Sequence, residues 1–165
     1  DSSFEGVIKE AVYSNADGAI TLNNVDFSNL TKAVNLNHKA TGTQMVTITD
    51  CSFTDCGANV ASDQIPVRVL SSVEGGKSVL TVSGTTFTGT PEGDADILLD
   101  YGIGETTANI STADTAANVV VEKTANVGTT TIIPANTQNQ SFVTVERVAQ
   151  IGDTKYKTLY DAVKA

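Results

Sequence analysis

Three short segments of this chain are near-copies of one another: Ile20-Thr-Leu-Asn-Asn-Val-Asp-Phe27-Ser-Asn-Leu30, Val46-Thr-Ile-Thr-Asp-Cys-Ser-Phe53-Thr-Asp-Cys56 and Leu80-Thr-Val-Ser-Gly-Thr-Thr-Phe87-Thr-Gly-Thr90. All follow one order: apolar, Thr, apolar, two turn-formers, small, polar, Phe, hydroxyl, turn-former. A unit of this length cannot bury its apolar face alone, so recurrence at such an interval predicts coils that stack into a solenoid. Phe27 and Phe53 lie 26 residues apart and Phe53 and Phe87 lie 34 apart. Variable coil length with constant strand motifs places insertions at one corner while the strands keep register.

Within each copy, Ile20/Leu22, Val46/Ile48 and Leu80/Val82 alternate with outward Thr21, Thr47 and Thr81, the period of a strand with one buried face. Asn23-Asn24, Thr49-Asp50 and Ser83-Gly84 follow, and Asn, Asp and Gly tolerate the left-handed backbone of a sharp corner. Alternation resumes with Val25/Phe27, Cys51/Phe53 and Thr85/Phe87 inward, which predicts an internal Phe stack. A second corner falls at Asn29, Asp55 and Gly89. A third strand then completes each coil at Ala33–Leu36, Ile65–Leu70 and Ala95–Leu99. An eroded fourth coil runs through Ala108–Ile110 and Asn118–Val121, its Phe position lost near Thr115, and Gly6–Lys9 with Glu10–Tyr13 reads as the remnant of an earlier rung. Insertions at 37–44, 57–64, 71–78 and 91–94 carry the unique side chains and gather on one face, commonly the binding face of a solenoid. The expected fold is all-β: a right-handed parallel β-helix of about four coils with a triangular cross-section. The alternative is a β-sandwich built from the same turns.

Scarce aromatics (5 Phe, 4 Tyr, no Trp) leave the core to Val, Ile, Leu, Thr and Ala, which suits thin layers. A net charge of −9 and a pI near 4.4 argue against nucleic acid and anionic membrane surfaces as partners. No run approaches the ~20 apolar residues of a membrane span, so membrane insertion is not expected. Cys51 and Cys56 occupy slots held in the other coils by Val25/Thr85 and Leu30/Thr90, the pattern of cysteine used as a small hydrophobe. A bond between them is disfavoured but left open. The chain reads as a segment of something longer, with export or anchoring signals belonging outside it.

The C-terminal part differs. Gln140–Val148 reads as a strand, Gly152-Asp153 as a hairpin turn, and Thr158-Leu-Tyr-Asp161 as a capping box opening a short helix. Tyr156, Leu159, Tyr160 and Val163 fall on one apolar stripe. This divides the chain into a β-helix module over 1–148 and the start of a following module over 149–165.

The coil template resembles the right-handed parallel β-helix of the pectate-lyase-like superfamily over roughly Ile20 to Val121. The tail from Ala149 to Ala165, AQIGDTKYKTLYDAVKA, resembles a motif of large surface proteins of Gram-positive gut and rumen bacteria, where it opens the next β-helix. The resemblance implies a secreted or cell-surface bacterial setting, in an adhesin-like or polysaccharide-associated protein whose partners are carbohydrate or a host surface and its own adjacent modules.

Enzymes of that superfamily act on acidic polysaccharides, the lyases through Ca²⁺ held by Asp/Glu with an Arg or Lys base, the hydrolases through Asp pairs with His and Arg-x-Lys. This chain has two arginines, Arg68 and Arg147, and one histidine, His38, and no Asp-Asp, His-Gly or Arg-x-Lys element. Arg68 alternates outward between Val67 and Val69 and reads as a solvated surface residue; His38 sits in a loop without a second ligand at metal spacing. Asp50 and Asp55 match corner positions and read as Asx turns. Glu92, Asp94, Asp96 and Asp100 form the only dense carboxylate cluster, and Glu92, Asp94 and Asp96 are the candidate Ca²⁺ ligands. Outer Ser, Thr and Asn ladders suit hydrogen bonding to sugar, although sugar sites favour exposed aromatics. Ice binding would need a more sustained Thr-x-Thr array. No catalytic set and no cofactor is expected: the chain reads as a non-catalytic structural or adhesive module. The alternative is the non-catalytic end of a polysaccharide lyase or hydrolase whose active-site coils lie upstream.

Overall fold

A computed structural model describes residues 2–6, 10–57, 65–90, 95–100, 102–111, 118–122, 127–132, 141–145, 149–151 and 154–156. These residues are all β, with no helix among them. The strands are β1 (Ser2–Glu5), β2 (Glu10–Ser14), β3 (Gly18–Asn23), β4 (Val25–Ser28), β5 (Lys32–His38), β6 (Thr43–Thr49), β7 (Ser52–Thr54), β8 (Val67–Ser71), β9 (Lys77–Ser83), β10 (Thr86–Thr88), β11 (Ile97–Leu99), β12 (Glu105–Ser111), β13 (Asn118–Glu122), β14 (Val127–Ile132), β15 (Ser141–Val145), β16 (Ala149–Ile151) and β17 (Thr154–Tyr156).

Three parallel sheets contain all but the last two strands. Sheet A has the order β1-β4-β7-β10, sheet B β2-β5-β8-β11-β13-β15, and sheet C β3-β6-β9-β12-β14. From β1 to β12 the chain visits A, B and C in unbroken rotation, four rounds, then continues through B and C. Every third strand therefore lies on the one three before it, in a solenoid-like stack. β16 and β17 pair antiparallel across residues 152–153, as the Gly152-Asp153 turn predicts. The helix expected after Thr158 lies outside the described residues.

The repeat template sets this register. In sheet C, Ile20, Val46 and Leu80 are successive partners, and so are Leu22, Ile48 and Val82. In sheet A, Phe27, Phe53 and Phe87 are partners, with ring centroids 4.8 and 4.9 Å apart and planes within 10° of parallel. The stack extends one rung further than the template, because Phe4 pairs with Phe27 and stacks on it at 5.5 Å. Sheet B contributes Val34, Val67 and Ile97, and Leu36, Val69 and Leu99. Together these rows form one continuous core. The hydrophobic effect on it scales with the apolar area each rung hides from its neighbours.

The corners behave as their residue types dictate. Asn24, Asp50 and Gly84 between sheets C and A, and Asn29, Asp55 and Gly89 after sheet A, all hold positive φ between 52° and 77°. Their amides continue the ladders: Asn24 N donates to Thr49 O, Asp50 N to Ser83 O, Asn29 N to Thr54 O and Asp55 N to Thr88 O. At Gly84 and Gly89 space matters as well as φ. A Cβ there would meet the carboxylate of Asp50 or Asp55 from the rung below.

One expectation needs correction. The insertions do not share a corner: 37–44 and 71–78 join sheet B to sheet C, whereas 57–64 and 91–94 join sheet A to sheet B. Both ends of a sheet B strand tolerate extra length, because neither needs the one-residue corner that joins C to A.

Candidate functional site

Sheet B is the sheet whose outer side is not simply solvated. Its alternation turns Tyr13, Asn35, Arg68 and Leu98 outward, and these four are successive register partners across β2, β5, β8 and β11. Leu98 joins Ile65 and Ala95 in a small apolar cluster separate from the main core. Arg68, read from sequence as a solvated surface residue, is mostly buried: its Nε donates to Asp100 Oδ2 at 2.6 Å and its Nη2 is ion-paired to the same oxygen, with side chains 20 % and 15 % exposed. The salt bridge forms because Asp100 directly follows β11, the strand paired with β8.

Beside Arg68, Asn35 donates from Nδ2 to Glu10 Oε1 at 2.6 Å. Asn35 is 4 % exposed, and its Oδ1 has no hydrogen-bond partner. A buried amide oxygen without a donor costs of order 1–3 kcal/mol. Next to it stands Tyr13, 46 % exposed. Tyr13, Asn35 and Arg68 thus follow one another along a single row, with the Glu10 carboxylate bonded to Asn35 from β2 and the Asp100 carboxylate bonded to Arg68 from beyond β11.

The second polar group is internal, where sheet B passes to sheet C. His38 is not in a loop: it ends β5 and is fully buried, because β5 runs two residues beyond the Ala33–Leu36 core segment. Its Nε2 lies 2.7 Å from Asp17 Oδ1 and its Nδ1 lies 3.5 Å from Ser71 Oγ. Ser71 is also fully buried, and side chains at Gly76 or Gly104 would press on its hydroxyl. Close by in sequence, Gln44 donates from Nε2 to Ser14 Oγ at 2.9 Å and to Ala16 O at 3.1 Å. An acid–imidazole–hydroxyl order suggests nucleophilic catalysis, but a nucleophile needs a path to substrate and Ser71 is sealed by the glycine corner. The arrangement ties three successive B-to-C connections together.

Cys51 and Cys56 are free and buried. They bracket β7 and the corner at Asp55, and the extended backbone of β7 alone carries the chain about 10 Å between them. A disulfide needs Cα atoms within about 7 Å. Burial raises both thiol pKa values, by desolvation first, with the neighbouring Asp50 and Asp55 charges adding to it against opposing backbone hydrogen bonds.

Of the Ca²⁺ candidates, Asp96 is 5 % exposed and already engaged within the fold. Glu92 and Asp94 lie outside the described residues. Asp100, the fourth member of the cluster, is Arg68's partner. Among the described residues no group of three or more His, Cys, Asp or Glu side chains converges as a metal site, and no helix is long and apolar enough to cross a membrane. Comparison with protein-family models, curated proteins and solved structures returns no match.

Sequence reasoning missed three features. Phe4 stands in Ser3-Phe4-Glu5 without the strand motif that precedes the other Phe residues. A Gly-x-polar signal before three of the five C strands (Gly42-Thr-Gln44, Gly76-Lys-Ser78, Gly104-Glu-Thr106) was available and marks the B-to-C corner. The Arg68, Asn35 and His38 partners carried no signal, since each lies 21 to 33 residues away.

Proposed function

We propose that the three sheets close into a right-handed parallel β-helix of triangular section, and that the chain is a non-catalytic structural or adhesive module of an extracellular bacterial surface protein. In this reading it stands in line with adjacent modules of that protein and contacts carbohydrate through the outer side of sheet B. The rotation of the chain through three parallel sheets supports the closed coil, and the coil and tail motifs support the bacterial surface setting.

One observation carries the carbohydrate contact: Tyr13, 46 % exposed, stands on the outer side of sheet B in one row with Asn35 and Arg68. An exposed aromatic face accommodates the C–H side of a sugar ring, and the phenol hydroxyl at its edge can donate to or accept from a sugar hydroxyl.

Screening the chain on a glycan array tests the proposal. Binding should occur and fall at least tenfold in Tyr13→Ala, a variant whose exposed side chain contributes little to folding. Undiminished binding by Tyr13→Ala would remove sheet B from the account. Cleavage of any polysaccharide by the chain would overturn the non-catalytic reading.

A further inference from the structure

The outer side of sheet C has a different character. Register places its outward residues in straight rows along the stack: Ala19, Met45, Val79 and Thr107 in one, Thr21, Thr47, Thr81 and Asn109 in the next, then Asn23, Thr49 and Ser83. Successive residues of a row are about 4.8 Å apart and neighbouring rows about 6.7 Å. In the third row Ser83 Oγ donates to Thr49 Oγ1 at 3.3 Å. Met45 is 51 % exposed at the centre of the apolar row.

This face is also nearly free of charge. From Gly18 to Ser83 and on to Asn109, the only ionised outward side chains of these four strands are Lys77 and Glu105, which face each other at one edge, 3.9 Å apart. The chain as a whole carries a net charge of −9. Charged partners gain nothing here, so the face suits a neutral one.

Its size narrows the choice. Four strands span about 15 Å across the rungs and about 20 Å along them. That is a few hundred Å², well below the about 800 Å² per partner buried in a stable protein pair. A second copy of this chain, or another folded protein, would be held weakly. A polymer escapes this limit, because one chain touches every rung and several protein molecules at once.

We propose that the outer side of sheet C binds an extended, uncharged polysaccharide running along the stack. An extended β-linked sugar chain advances by close to one strand spacing per residue. Its hydroxyl edge meets the Thr21–Thr47–Thr81–Asn109 row, and its C–H faces lie on Ala19, Met45 and Val79. The ligand class extends the carbohydrate reading given for sheet B, but the face and residues are separate, so each fails by its own variants.

The test is depletion of the 165-residue chain from solution by phosphoric-acid-swollen cellulose and by insoluble chitin, with polygalacturonate as the anionic control. At least one neutral matrix should retain the protein. Retention should fall at least tenfold in the Thr47→Glu/Thr81→Glu double variant and in Met45→Glu, whose position is too exposed to be needed for folding. Tyr13→Ala should leave it unchanged. Retention by polygalacturonate alone, no retention by either neutral matrix, or full retention of Met45→Glu would overturn the proposal. Loss with Tyr13→Ala alone would move the site to sheet B and leave the earlier proposal standing.

Discussion

Replacing Phe53 with alanine is the sharpest perturbation of the interior. Its ring is 1 % exposed and lies between Phe27 and Phe87, at 4.8 and 4.9 Å, so both faces are in aromatic contact. Truncation removes two stacked pairs, each worth about 0.5–1.5 kcal/mol beyond area burial, and leaves a cavity between rungs fixed by backbone ladders on either side. Such a site collapses poorly, and the expected cost is the upper part of the roughly 3–5 kcal/mol range for buried Phe→Ala. Phe4 supplies the internal control. It is 37 % exposed and stacks on one face only, so Phe4→Ala should cost about 1–2 kcal/mol in lost apolar burial. Urea unfolding followed by circular dichroism measures both. With a slope of about 2–3 kcal/mol per molar, Phe53→Ala should lower the midpoint by between about 1.3 and 2.5 M, and Phe4→Ala by about 1 M or less. Equal shifts for the two variants would show that Phe53 is not enclosed by its neighbours and that the rung register is wrong.

Gly84→Ala should cost at least about 1–2 kcal/mol for a Cβ at positive φ, and more because that Cβ meets the Asp50 carboxylate. Asp50→Ala combined with it should therefore destabilise by less than the sum of the single variants in the same urea assay. The cysteines predict an alkaline effect. Their folded pKa values are raised by burial, so their contribution is fully present below the ordinary thiol range near 8.5 and is lost as pH rises through the folded values. Stability should fall as pH rises above the ordinary thiol range, and the fall should be smaller in Cys51→Val/Cys56→Leu, which installs the residues of the first repeat. A thiol reagent at pH 8 should label neither cysteine until the chain is unfolded.

What could be read from the sequence divides along a physical line. Strand, corner and inward face are local properties. Alternation at Val46-Thr-Ile-Thr shows which side is buried, and Asn24, Asp50 and Gly84 mark a backbone conformation that few residues adopt. Because the unit repeats, local reading also gave the pairing, since copies of one motif stack on themselves. Arg68 shows where this stops. An outward Arg on a strand is ordinarily solvated, and only the neighbouring coil reveals Asp100 beside it. His38 was misplaced because the run from Asn37 to Gln44 lacks strand-like residues, yet β5 extends into it through pairing with β8. The insertion corners were misassigned for a related reason: coil length says that residues were added, and only the strand order says between which sheets.

Parallel, in-register stacking is the claim on which the rest depends, and paired cysteines test it most directly. In a Cys51→Val/Cys56→Leu background, Thr47→Cys/Thr81→Cys and Thr49→Cys/Ser83→Cys each join direct partners of β6 and β9. Their outward side chains lie within disulfide reach. Parallel pairing predicts that both double variants oxidise fully to a bridged monomer, seen as a mobility shift in non-reducing electrophoresis. An antiparallel arrangement that aligned residue 47 with 81 would set 49 against 79. It would then bridge at most one of the two pairs, and that result would contradict the fold.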